Sequence, residues 1–217
     1  MNPLRRFLRF FFWHFYHGFA WTYDAVADVV SIGRWNDWIQ CAIPFVRGER
    51  VLEMGYGPGH LQCYLREQTG AWVAGVDESR QMARLAHEEL RRAAYSDCAL
   101  TRGVGQALPF ADGAFDTVVS TFPTEYIFEG PALNEIRRVL NPAGRLVVIP
   151  AAWIIGRKTL DRAAAWLFRV TDQAPRLPAE VIGQRLQAGF EKAGLVPEYR
   201  TVEVRSSLVM VVIARPQ

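Results

Sequence analysis

The stretch Val51–His60, "VLEMGYGPGH", reads as a buried strand that runs into alternate glycines. Val51, Leu52, Glu53 and Met54 form the run, and Gly55, Gly57 and Gly59 follow it at every second position. Glycine is costly to order, and chains place it where φ must be positive or where something lies close against main chain. Alternate glycines at a strand end therefore point to a ligand resting on the backbone there.

Outward from this turn the chain alternates. β-prone apolar runs at 50–54, 72–76, 115–120, 145–150 and 207–214 are separated by helix-like stretches at 60–68, 79–94, 130–140 and 179–193. That order predicts right-handed crossovers and a mostly parallel sheet with helices on both faces, an α/β fold. "NPAG", Asn141–Gly144, is a stop signal for the helix before it. Residues 1–45 read as a helical appendage, 46–217 as the ligand-binding domain, and 151–178 as a helical insertion within that domain.

Half of the 217 residues are apolar and 22% are charged, which excludes a disordered chain. The net charge is a mild +3 with no broad basic face, so nucleic acid is not an expected partner. Cys41, Cys63 and Cys98 are odd in number and widely spaced, which fits neither a disulfide framework nor a metal site and points to a reducing cytoplasm. Phe10–Tyr23 lacks Asp, Glu, Lys and Arg but is shorter than the roughly 20 residues a membrane span needs. It also lacks the aliphatic core and cleavage site of a signal peptide. On a helical wheel Leu4, Phe7, Leu8, Phe11, Phe12, Phe15 and Phe19 share about 140° of arc, with Arg5, Arg6 and Arg9 opposite. A basic amphipathic helix of this kind is expected to lie peripherally on a membrane through residues 1–19, or to pack as a lid over an apolar site.

In a parallel sheet, ligands sit outside the carboxyl ends of the strands. A dinucleotide turn, G-x-G-x-x-G, fails here because His60 stands where the third glycine is due, and no G-K-[ST] of a phosphate loop follows. What remains is E-x-G-x-G-x-G, with Glu53 two residues before the first glycine. This arrangement suits a ligand with a cationic amine and a sugar but no phosphate. Glu53 can hold the ammonium group directly or through water. Asp77 ends the next strand in "VAGVDES", about 20 residues on, where a carboxylate accepts from ribose hydroxyls.

"VLEMGYGPG", "VAGVDESRQM", "ALPFADGAFDTVVS" and "EIRRVLNPAGRLVV", in this order, resemble the successive motifs of class I S-adenosylmethionine-dependent methyltransferases. The likeness runs from about Tyr23 to the C-terminus and is nearest to quinone-biosynthesis C-methyltransferases and bacterial phospholipid N-methyltransferases. It implies a Rossmann-like, seven-stranded sheet and S-adenosylmethionine as cofactor. By resemblance, Glu53, Gly55, Tyr56, Gly57 and Gly59 meet the methionine part, Asp77 the ribose, and Glu78 and Met82 the adenine. Ser120, Thr121 and Phe122 line the methyl end, and Tyr23 closes over the cofactor. The family's usual acid before "A-x-x-LPF" is replaced by Val104, which leaves adenine to main chain near Gly105 or to Gln106. Tyr56 is bulkier than the small residue common between the first two glycines.

Plainer roles are open for the same residues. Glu53 can be a buried acid satisfied by a helix N-terminus, Asp77 a helix cap, and His60 a capping or exposed residue. Tyr23, Trp35 and Trp38 at helical spacing can be core, and Glu125 and Tyr126 loop residues rather than groups that orient or deprotonate an acceptor. The expected activity is methyl transfer to a lipophilic small molecule, such as a phospholipid headgroup or quinol, at the cytoplasmic membrane face. The alternative is a cofactor-binding scaffold or regulator without turnover. No motif identifies the acceptor or the oligomeric state.

Overall fold

A computed structural model describes residues 33–97, 99–156, 175 and 177–217. The amphipathic stretch 1–19, Tyr23, Cys98 and most of the insertion at 151–178 lie outside the described residues.

Strand β1, Arg50–Met54, is buried at every position after Arg50. A run buried on both faces is what a central parallel strand requires. β1 pairs in parallel with β2, Trp72–Asp77, on one side and with β4, Phe115–Thr121, on the other. β3, Ala99–Arg102, lies outside β2. β5, Leu140–Ile154, pairs in parallel with β4. β7, Ser207–Pro216, returns antiparallel beside β5, and β6, Leu195–Val204, closes the edge antiparallel to β7. The seven strands run in the order β3-β2-β1-β4-β5-β7-β6.

Helix α1, Trp35–Gln40, and a short 3-10 helix, Ile43–Phe45, precede β1. α2, His60–Thr69, follows β1, and α3, Arg80–Arg92, follows β2. α4, Gly130–Val139, and α5, Ala179–Lys192, follow β4 and β5 in turn. Alternation along the strands sorts the core into two layers. Val51, Val73, Val119, Val147 and Ile149 pack with Trp38, Ile39, Leu61 and Leu65 on the α1–α2 face. Leu52, Met54, Val76, Val118 and Leu146 pack with Leu133, Ile136 and Phe190 on the α4–α5 face.

The α/β class, the mostly parallel sheet and every core helix after β1 match the sequence expectation. Two strands were not legible. β3 is four residues long and only half buried, and β6 carries Pro197, Glu198, Arg200 and Glu203. Proline and charge are what an edge strand tolerates. β5 also runs further than the expected 145–150, from Leu140 to Ile154, into the stretch assigned to the insertion. "NPAG" sits inside it as a register shift between Phe115 and Thr117 pairings, and a second shift falls between Val148 and Ala151, around Pro150.

Candidate functional site

The sheet reverses its winding between β1 and β4. From β1 the chain moves outward through β2 to β3, and from β4 it moves the other way to β5. The crevice outside the carboxyl ends at such a switch point is where open α/β sheets bind ligands. A cavity of about 410 Å³ lies there. Met54, Gly55 and Gly57 line it from the end of β1, and Val76, Asp77 and Glu78 from the end of β2. Met82 joins from the first turn of α3, Gly103 to Gln106 from the loop after β3, and Ser120 to Thr124 with Tyr126 from the segment after β4.

The three glycines have different tasks. Gly57 has φ +52, and a β-carbon there would meet nothing within 4 Å, so its main chain faces the open cavity. Its N–H donates to Asp77 Oδ2 at 3.0 Å. Gly55 also lines the cavity, opposite the Tyr126 hydroxyl. Gly59 does not line it: with φ +96, its missing β-carbon leaves room for Ala86, whose Cα would lie 2.9 Å away. Gly59 thus lets α2 and α3 approach.

Asp77 lines the cavity with both carboxylate oxygens already accepting from main chain, Oδ2 from Gly57 and Oδ1 from Ser79 N–H at 2.8 Å. The N-cap of α3 is Ser79, whose Oγ accepts from Met82 N–H. Ser120 Oγ donates to the Met54 carbonyl at 2.8 Å and binds the ends of β4 and β1 together. Phe122, the next lining residue but one, has φ +47 and donates its N–H to the Ile149 carbonyl at 2.7 Å. The Tyr126 ring crosses above Gly105, where a β-carbon would come within 2.7 Å of it.

Residues 52–148 match the family model described as a methyltransferase domain. Over 143 residues the chain is 32% identical to the ubiquinone/menaquinone biosynthesis C-methyltransferase UbiE of Yersinia enterocolitica, a match covering 62% of this chain and 56% of that protein. The chain thus spans little more than half the length of this curated relative. Its fold is similar to that of a putative S-adenosyl-L-methionine-dependent methyltransferase from Methanococcus maripaludis, with TM-score 0.69, 19% identity, and 91% and 92% of the two chains covered. A SAM-dependent methyltransferase from Aquifex aeolicus is similar over 88% of this chain and 97% of that one, with TM-score 0.63 and 20% identity. The span matched to the methyltransferase-domain model, 52–148, runs from β1 into β5 and takes in the glycine turn and Asp77.

Within this methyltransferase fold, the expected contacts divide into those at the cavity wall and those beneath it. Gly55, Gly57, Asp77, Glu78, Met82, Gly105, Gln106, Ser120, Thr121, Phe122 and Tyr126 are at the wall. Glu53 and Tyr56 are not: both are buried, below the glycine turn. Glu53 accepts a hydrogen bond from Gln62 Nε2 of α2 at 2.8 Å, so a side chain rather than a helix N-terminus satisfies it. Burial drives its carboxyl pKa well above the ordinary value; the Gln62 bond opposes the rise and the Asp77 charge adds to it. The Tyr56 ring lies over Gly75, and burial with the charges of Asp77 and Glu53 pushes its phenol up to about 12, against the pull of Arg102. Glu125 is exposed and does not line the cavity. His60 opens α2 and reaches Glu89 of α3 at 3.4 Å, away from the cavity.

Met54, Val76, Gly103, Pro123 and Thr124 are lining residues that motif reading passed over. Each adjoins a motif position and has no chemical signature of its own. Val104 lines the cavity where the family's acid is expected and is bridged to Ala107. Among the described lining residues the charged side chains are Asp77 and Glu78, with no Lys, Arg or His. That wall accommodates a cation and hydroxyls and offers a phosphate no cationic side chain among the described lining residues. A cofactor bearing an ammonium group, a sulfonium and a ribose fits the residues present.

Proposed function

We propose that the chain is an S-adenosylmethionine-dependent methyltransferase acting on a lipophilic small molecule. The observation that carries this reading is the cavity wall itself: Gly57 main chain open to the cavity and bonded to Asp77, with carboxylates as its charged lining groups. Asp77 and the Gly55–Gly57 turn would hold the ribose and methionine parts, with Glu53 fixed beneath the turn by Gln62. Met82, Gly105 and Gln106 would flank the adenine.

The bound cofactor supplies a methyl group already activated by its sulfonium. The protein's work is then alignment at near-attack distance and exclusion of water. Thr121, Phe122 and Tyr126 line the cavity from the segment after β4 and would meet the acceptor there. Burial, with Asp77 and Glu78 adding, raises the Tyr126 phenol above its ordinary 10.0, so at neutral pH it keeps its proton. Its part is to orient an acceptor by hydrogen bonding, not to deprotonate one.

The UbiE relatives are named for quinone biosynthesis, which favours a quinol over a phospholipid headgroup as acceptor. Residues 1–19 would bring the enzyme to the cytoplasmic membrane face, where such acceptors reside. Labelled cofactor incubated with full-length protein and total lipid extract tests the activity. Label entering the lipid fraction is expected. Cofactor binding without transfer to quinols, phospholipids or fatty acids would instead leave a non-catalytic scaffold. Flotation with anionic vesicles, reversed by salt and lost on deleting residues 1–19, tests the membrane contact.

A further inference from the structure

We propose that Trp35 is a specificity-determining residue: through Phe122 it builds an aromatic wall at the acceptor end of the cavity that takes a flat, uncharged ring and turns away a phosphorylated headgroup. This rests on the methyltransferase reading above.

The starting observation is a backbone outlier. Phe122 is a non-glycine residue in the left-handed region, φ +47, in the lining of the cavity. A side chain pays a steric penalty there, and such conformations persist only where surrounding contacts impose them, most often at functional sites. Here the contacts are visible. The Phe122 N–H is bonded to Ile149, so the turn is fixed to β5 immediately after β4 ends. The turn carries the Phe122 ring onto Trp35, with centroids 4.5 Å apart and planes tilted by 32°.

Trp35 is held on a firm base. Trp38, one turn along α1, is fully buried and lies 6.0 Å from Phe122 and 6.4 Å from Trp35. Asp37 of the same helix pairs with Arg205 at 3.0 Å, which ties α1 to the β6–β7 turn. Trp35, Phe122, Ile154, Val202 and Val204 pack as partly buried apolar groups over the same layer. Trp35 does not itself line the cavity. It acts by fixing where the Phe122 ring stands.

The chemistry of the wall follows from its members. Thr121, Phe122, Pro123, Thr124 and Tyr126 line the cavity from the segment after β4, with the Ser120 hydroxyl turned to the Met54 carbonyl, while the carboxylates Asp77 and Glu78 belong to the β2 end. Aromatic faces receive a planar ring in offset or edge contact. A phosphate entering here finds no guanidinium or ammonium among the described lining residues.

The test uses full-length protein and two probes, 1,4-naphthoquinone and phosphatidylethanolamine vesicles, each with saturating S-adenosylhomocysteine. Naphthoquinone is expected to bind wild type. Trp35→Ala should weaken that binding about fivefold to tenfold, the scale of one lost aromatic pair, and leave the S-adenosylhomocysteine Kd unchanged. Trp35→Phe should restore it. An unchanged naphthoquinone Kd in Trp35→Ala, or no naphthoquinone binding to wild type, overturns the inference while leaving the cofactor reading intact. Equal losses for both ligands in Trp35→Ala make the residue merely structural and also overturn it. Preferential retention of phosphatidylethanolamine overturns the ring assignment. Failure of S-adenosylhomocysteine to bind wild type removes the methyltransferase reading itself.

Discussion

Asp77 Oδ2 accepts a hydrogen bond from the Gly57 N–H at 3.0 Å, so the carboxylate that ends β2 holds the glycine turn that ends β1. Its other oxygen accepts from Ser79 and orders the entry to α3. One side chain thus shapes two neighbouring loops and still faces the cavity. A carboxylate has about four lone-pair sites, so capacity remains for ribose hydroxyls beside the two main-chain donors.

Replacing Asp77 by Ala should therefore weaken S-adenosylhomocysteine binding by about 1.5–3 kcal/mol, the scale of hydrogen bonds to a charged group. Asp77→Asn keeps one acceptor but turns an amide N–H toward the other main-chain donor, so it should rescue only in part. Isothermal titration reads both. Wild-type affinity in Asp77→Ala would remove Asp77 from the site.

Glu53 makes a pH prediction. Its folded pKa is raised well above the ordinary 4.5, chiefly by burial. Between those two values the folded protein carries a proton that the unfolded chain has released. Stability then falls as pH rises through that window, because the unfolded state binds fewer protons than the folded one. Glu53→Gln removes the titration and keeps a similar shape. The stability difference should shift in favour of the variant as pH rises above the ordinary carboxylate value of 4.5, as measured by urea unfolding. Parallel pH curves for the two proteins would contradict the assignment.

The fold was legible because its signals are local. The apolar run Val51–Met54, the glycines after it and Asp77 at the next strand end each declare themselves within a few residues. The site was legible only to its outline. Glu53 and Asp77 both read as ligand acids, yet one is beneath the turn and the other at the wall, and only tertiary packing of Gln62 and Gly75 separates them. Gly59 reads like Gly57 because sequence does not display that Ala86 arrives from α3. The left-handed turn at Phe122 has no sequence mark at all, since Ile149 and Trp35 impose it from elsewhere in the chain.

The two glycines accordingly separate stability from binding. Gly59→Ala would place Cβ 2.9 Å from Ala86 Cα at φ +96. Overpacking of this kind costs about 1–3 kcal/mol, and the left-handed backbone about 1–2 more. Gly57→Ala meets no atom within 4 Å and has only the backbone term, but its methyl would project into the cavity. Thermal melts should show the larger loss for Gly59→Ala, and titration the larger loss of S-adenosylhomocysteine affinity for Gly57→Ala. The reverse order would place the ligand at Gly59.

Arg138 explains why the motifs "ALPFADG" and "EIRRVL" occur together. Its guanidinium donates to the Leu108 carbonyl at 3.0 Å, the Phe110 carbonyl at 2.7 Å, Asp112 at 2.7 Å and both oxygens of Glu135. Glu135 in turn accepts from the Leu108 N–H at 2.7 Å. This clasp pins the 108–112 turn to α4, directly after the cavity segment 103–106. The Arg138 bond holds the Glu135 carboxyl below its ordinary value, so the pair stays charged as pH falls and is lost only when acid reaches that lowered value. Arg138→Ala takes the guanidinium donor from the Phe110 carbonyl and Asp112, and removes one of the donors to the Leu108 carbonyl and to Glu135, and should destabilise the fold by about 2–3 kcal/mol. Arg138→Lys should recover little, because an ammonium cannot reproduce the planar fork that serves carbonyls and carboxylate together. Urea unfolding of both variants measures this, and full recovery by lysine would reduce the clasp to simple charge.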